Sequence, residues 1–241
     1  MDLARKLLAE FLGTTLLLAT VVGSGVMGVA LSNGNDAIAL LANAGATAGI
    51  LYVLIATLGP ISGAHFNPAV TLAMRLRGDL GTGAMLAYIG TQLAGALAGV
   101  VLAHAMFDLP LIQTGIHVRS GVPQWISEGV ATFGLLVTII LGVRFRANAV
   151  PALVASYIFA AYWFTASTSF ANPAVTLARA LTQTFAGIRP TDVLGFVAAQ
   201  LLGMLIALLA CAALTSTADD SSRTVSADEP AARKPLANES R

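Results

Sequence analysis

Two copies of one phrase set asparagines inside long apolar stretches: His65-Phe66-Asn67-Pro68-Ala69-Val70-Thr71-Leu72-Ala73 and Phe170-Ala171-Asn172-Pro173-Ala174-Val175-Thr176-Leu177-Ala178. Asparagine can cap the free backbone N–H groups of a helix, and proline suits the first helical position. Each phrase therefore reads as a helix start. If two such starts meet inside a membrane, their unpaired N–H groups and macrodipoles make a zone of partial positive charge. The Asn67 and Asn172 carbonyls then accept capping bonds while their amides donate into a lumen. Such a site orients a neutral oxygen-bearing solute and raises the energy of a cation at the same place. It breaks no bond.

Two further pairs accompany the phrases. Glu10 and Glu128 sit in apolar surroundings, each followed four residues on by a threonine, Thr14 or Thr132, on the same helix face. Gln92 and Gln200 each precede a glycine by three residues. A glutamate in hydrocarbon is costly unless hydrogen-bonded, so both acids face the bundle interior, with loop backbone as their expected partners. His65, just ahead of the first motif, can line the pore, sense pH or serve structure alone. Arg179 has two open roles: a positive charge near one mouth, or a cation neutralising a helix C-terminus as Arg75 would on the other side. His104 and His117 read as solvated loop residues, and Cys211 as a buried packing residue. No metal or cofactor site and no nucleophile–base set is legible, so an enzyme is the least favoured class.

The elements that must hold these residues follow from composition. Of 241 residues 56% are hydrophobic and 10% charged, with a mean hydropathy of +0.80, against a charge content of about 25% in soluble domains. Six apolar stretches are long enough to span a bilayer, at about 6–31, 37–58, 83–107, 124–143, 149–167 and 194–214. The first is expected to be retained rather than cleaved. Each Asn-Pro segment has too few apolar residues before Arg75 or Arg179 to cross, so each reads as a half-helix.

The glutamate, the Asn-Pro phrase and the glutamine recur in the same order, dividing a channel domain at 1–215 into repeats at about 6–107 and 124–214. Three spans per repeat make the halves inverted, with the half-helices entering from opposite faces and meeting near the midplane. Basic residues concentrate on one side (Arg5, Lys6, Arg75, Arg77, Arg144, Arg146 and the C-terminal tail), with Arg119, Arg179 and Arg189 on the other. That bias puts both termini in the cytoplasm. Residues 216–241 read as a disordered tail, and a net charge of +1 suggests no nucleic-acid partner.

With two Asn-Pro-Ala motifs, a Ser62-Gly63-Ala64-His65 lead-in, and paired glutamates and glutamines, the chain resembles the major intrinsic proteins, the aquaporin and aquaglyceroporin channels, over about residues 7–215. The resemblance implies an all-α membrane protein of six transmembrane helices plus two re-entrant half-helices, with Asn67, Pro68, Ala69, Asn172, Pro173 and Ala174 at the pore centre. It also implies loop bracing by Glu10, Glu128, Gln92 and Gln200, a homotetramer, and a location in a bacterial inner membrane. In that family an arginine usually follows the second motif; here Val175 does. Carried over by spacing, the outer filter becomes Thr47, Ala160, Ser169 and Val175, a ring with neither aromatic nor charge. Such a ring is wide, and admits glycerol-sized solutes. The continuation Ser-Phe-Ala-Asn-Pro-Ala-Val-Thr is similar to a bacterial subgroup associated with arsenic resistance, which implies passage of arsenous acid or methylated arsenicals. A gradient-coupled secondary transporter and a mainly water-conducting aquaporin are the alternatives.

Overall fold

The computed structural model describes residues 1–225, with side chains through 216. The first repeat contains α1 (Leu3–Leu31), α2 (Asp36–Ser62), the short α3 (Pro68–Leu76) and α4 (Thr82–Met106). The second contains α5 (Val122–Phe145), α6 (Val150–Phe164), the short α7 (Pro173–Arg179) and α8 (Val193–Val225). Six helices are long and apolar enough to cross a membrane, and α3 and α7 are not among them. Each start has a local cause. The Asp2 carboxylate accepts from the Arg5 amide at the head of α1, and the Asn35 side chain accepts from Ala37 and Ile38 at the head of α2. The last helix runs to Val225, so the backbone is helical beyond the expected boundary at 215; the rest of the expected tail lies outside the described residues.

Packing follows the repeat. In the first half α1 lies against α4 and α2; in the second α5 lies against α8 and α6. The close approaches are made at glycine. A Cβ on Gly95 would press on the Phe11 carbonyl oxygen, and one on Gly203, the equivalent position, would collide with that of Gly129. Each contact brings the helix that bears the buried glutamine against the helix that bears the buried glutamate. Gly203→Leu is therefore expected to destabilise the bundle by at least about 2–3 kcal/mol through overpacking, read as a lower unfolding temperature in detergent; an unshifted transition would contradict the close packing.

Outward faces remain apolar, with Leu12 and Leu16 on α1 and Leu202 and Leu209 on α8 exposed. In a bilayer such apolar side chains suit contact with lipid. Inside, Cys211 is 3% exposed and packs in an apolar cluster with Leu136, Met204 and Ala207.

Candidate functional site

The two half-helices begin as their residues dictate. Asn67 is extended, accepts from the Ala69 amide through its side-chain oxygen at 2.8 Å, and hands the chain to Pro68 at the first helical position. Asn172 repeats this, accepting from Ala174 at 3.0 Å and Val175 at 3.3 Å. Their amides do more than face a lumen. Asn67 Nδ2 donates to the Ala171 carbonyl and Asn172 Nδ2 to the Phe66 carbonyl, each at 2.8 Å. Each asparagine thus spends one amide hydrogen on the backbone of the other repeat and keeps one.

The loops that deliver the asparagines are strained. Ala64 and Phe66 have φ of 51° and 47°, and Thr168, Ser169 and Ala171 have φ of 61°, 53° and 48°, values that cost a non-glycine residue about 1–3 kcal/mol each. The buried carboxylates hold them. Glu10 accepts from the Ser62 hydroxyl at 2.7 Å, from the His65 and Phe66 amides at 3.0 and 2.7 Å, and from Gln92 Nε2 at 2.8 Å. Glu128 accepts from the Phe170 and Ala171 amides, both at 2.9 Å, and from Gln200 Nε2 at 2.6 Å. Gln92 also donates to Thr71 on α3, and Gln200 to Thr176 on α7, at 2.9 and 2.8 Å. One glutamine therefore ties loop, half-helix and spanning helix together in each repeat.

A cavity of about 390 Å³ runs from Arg77 and Asp79 past Asn67 and Asn172 to Thr47, Ser169 and Val175. Its wall is mainly aliphatic, and the polar atoms are concentrated near the loops. His65 is on this wall, with Nδ1 3.1 Å from the Thr71 hydroxyl. Cys211 is not on it. Mercurials are accordingly expected to inhibit solute flux weakly, and strong reversible block that disappears in Cys211→Ser would contradict this placement.

Three of the four filter positions carried over by spacing line the cavity; Ala160 does not. It is exposed on the outer face of α6. The side chains of α6 that reach the cavity are Val150, Val154, Ile158 and Tyr162, one per turn. Ala160 lies two residues from both Ile158 and Tyr162, about half a turn off the row that faces the cavity, so it points the other way. The cavity wall thus includes an aromatic near Thr47: the Tyr162 hydroxyl lies 3.2 Å from the Thr47 hydroxyl, joining the neighbouring helices α6 and α2. Ser169 is 3% exposed and its hydroxyl has no partner among the described residues.

Arg179 is buried to 2% exposure and lines the cavity. Its Nε donates to the Ala186 carbonyl, and its guanidinium lies over the Phe170 ring, 3.4 Å from the centroid. Sequence reasoning passed over Arg119, which approaches the same ring at 5.0 Å and donates to the Gly187 and Ser167 carbonyls at 3.0 and 3.2 Å. An arginine in a loop carries no motif, and only its presence on the basic-poor side marked it. His104 is a second correction. It is fully buried, with Nδ1 2.9 Å from the Leu111 carbonyl and Nε2 2.8 Å from the Thr182 hydroxyl, and so joins two loops instead of facing solvent.

This architecture matches known proteins. The family model described as major intrinsic protein matches residues 1–163. The aquaglyceroporin AqpS of Rhizobium meliloti (strain 1021) is 60% identical over 207 residues, covering 86% of this chain and 88% of its own. A glycerol uptake facilitator protein of Streptococcus pneumoniae (strain ATCC BAA-255 / R6) is 34% identical over 151 residues, covering 56% of this chain and 62% of its own. The X-ray structure of the aquaglyceroporin from Plasmodium falciparum superimposes with a TM-score of 0.69 at 19% identity, covering 86% of this chain and 95% of that one, and so shares the fold. With six apolar helices, two half-helices meeting through crossed asparagines, and a family match over more than half its length, the chain is an integral membrane protein of the major intrinsic protein family.

Proposed function

We propose that the protein is a passive channel for small uncharged solutes of glycerol size, including trihydroxy metalloids such as arsenous acid and their methylated derivatives. The observation that carries this reading is the cavity through both asparagines, which reaches a ring where Val175 stands with Thr47 and Ser169 and no arginine occupies the position. An aliphatic wall with a few hydroxyl and amide groups suits a polyol, whose carbon side prefers the wall while its oxygens follow the polar line. Arsenous acid is uncharged at neutral pH and presents three hydroxyls. The relatives named as an aquaglyceroporin and a glycerol uptake facilitator support the same solute class.

The basic side of the bundle, with both termini, faces the cytoplasm under the charge rule. The subunit assembles as a homotetramer in a bacterial inner membrane, each subunit with its own pore.

The test is stopped-flow light scattering on proteoliposomes with water, glycerol, larger polyols and arsenous acid. Flux of glycerol and arsenous acid well above empty vesicles supports the reading, and equal flux sinks it. A mainly water-conducting channel is the second reading, favoured by the bulky Tyr162 side chain on the cavity wall, its hydroxyl bonded to that of Thr47 on the neighbouring helix. Fast water flux with glycerol at the level of empty vesicles selects that alternative.

A further inference from the structure

Val175 leaves the outer end of the pore without the charge that its family places there, yet two arginines converge on the neighbouring residue Phe170. Arg179 lies at 3.4 Å and Arg119 at 5.0 Å from that ring centroid. Neither forms an ion pair among the described residues, whereas Arg189 pairs with Asp192 at 2.8 Å. Two uncompensated guanidiniums beside one aromatic face are tolerable because the ring attracts both cations and because each donates to backbone carbonyls.

The repeat identifies which way Arg179 faces. Counting from the capping asparagine, Asn67 to Met74 and Asn172 to Arg179 are the same step, so Met74 and not Arg75 is its counterpart. Met74 lines the cavity, as Arg179 does. Arg75 has a different role: its Nε donates to the Thr82 hydroxyl at 2.9 Å, and it is absent from the cavity wall. The α7 terminus also does not occupy Arg179, whose bonded nitrogen goes to Ala186 in the following loop. Its two Nη groups have no protein partner among the described residues, and they are not sealed from the cavity. The surrounding field is positive. Partial burial, then the charges of Arg119 and Arg179, push the exposed loop residue His117 below its ordinary value of 6.5.

We propose that Arg179, one helical turn beyond Val175 and held by Arg119 through Phe170, is a displaced charge barrier that excludes protons and metal cations from a pore whose ring has no arginine. The inference rests on the reading of the chain as a neutral-solute channel. A fixed charge in a low-dielectric wall acts over several ångströms, so it can bar cations from one turn away while leaving the Val175 ring open to a polyol. Arg119 is a positioning residue here. It ties residues 167 and 187 together and adds a second charge behind the first.

The test reconstitutes the full chain in vesicles and measures glycerol flux by light scattering and proton entry by a trapped pH dye under an imposed potential. Wild type is expected to pass glycerol without proton entry. Arg119→Gln combined with Arg179→Met, the residue of the other repeat, is expected to raise proton entry roughly tenfold or more with glycerol still passing. Arg179→Lys, which keeps the charge, should stay near wild type. A double variant that passes glycerol and remains as proton-tight as wild type overturns the proposal. Wild type that passes no glycerol overturns the neutral-solute reading instead. Should the double variant fail to assemble, the single Arg119→Gln variant decides: a leak raised about threefold supports the pair, and wild-type tightness refutes it.

Discussion

Replacing Glu128 by alanine is expected to abolish solute flux and to leave little folded protein. The substitution removes the acceptor from the Phe170 and Ala171 amides and from Gln200 Nε2, all buried. At about 1–3 kcal/mol for each of the three orphaned donors, the loss is roughly 3–9 kcal/mol, a large part of the stability of an ordinary domain. Strain adds to it, because Ala171 keeps its φ of 48° only while its amide is held. Glu128→Gln preserves the shape but turns an acceptor oxygen into an NH₂ group facing donors, so it should fall between wild type and alanine. The measurement is thermal unfolding in detergent beside glycerol flux in vesicles. A Glu128→Ala protein that melts and conducts like wild type would remove the bracing role.

The second large effect concerns the ring. Val175→Arg is expected to lower glycerol and arsenous acid flux at least roughly tenfold, a barrier increase of about 1.4 kcal/mol, and to lower water flux less. Val175, Ser169 and Tyr162 line the same cavity. A guanidinium there fills lumen volume, and Arg179 at the next turn repels it toward the axis. Stopped-flow traces for water and glycerol on the same vesicles give the ratio directly. Glycerol flux equal to that of wild type would show that the ring does not limit passage.

Most of the scaffold was legible because its signals are local. Six apolar stretches appear as α1, α2, α4, α5, α6 and α8, and two Asn-Pro starts appear as α3 and α7 with their capping bonds formed. The expectation that Glu10 and Glu128 meet loop backbone agrees with their hydrogen bonds. Features that depend on how helices and loops come together were not legible. The rotation of α6 is one: Tyr162 lines the cavity, and Ala160, two residues from it and about half a turn around the helix, does not. His104 looked solvated because its partners, Leu111 and Thr182, come together only when two loops fold over the bundle. Arg119 is the same case, since its sequence neighbours say nothing of Phe170.

The crossed asparagine bonds also impose a timetable on biogenesis. Asn67 must find the carbonyl of Ala171, 104 positions later, and Phe66 must wait for Asn172, 106 positions later. At a synthesis rate of about 5–20 residues per second, the first half-helix spends roughly 5–20 s without its partner. During that interval a strained loop and an unmatched amide have to be kept wet or shielded by something other than the finished protein. The first repeat is therefore an intermediate that the membrane cannot accept as final, and the seal closes only when the second repeat arrives.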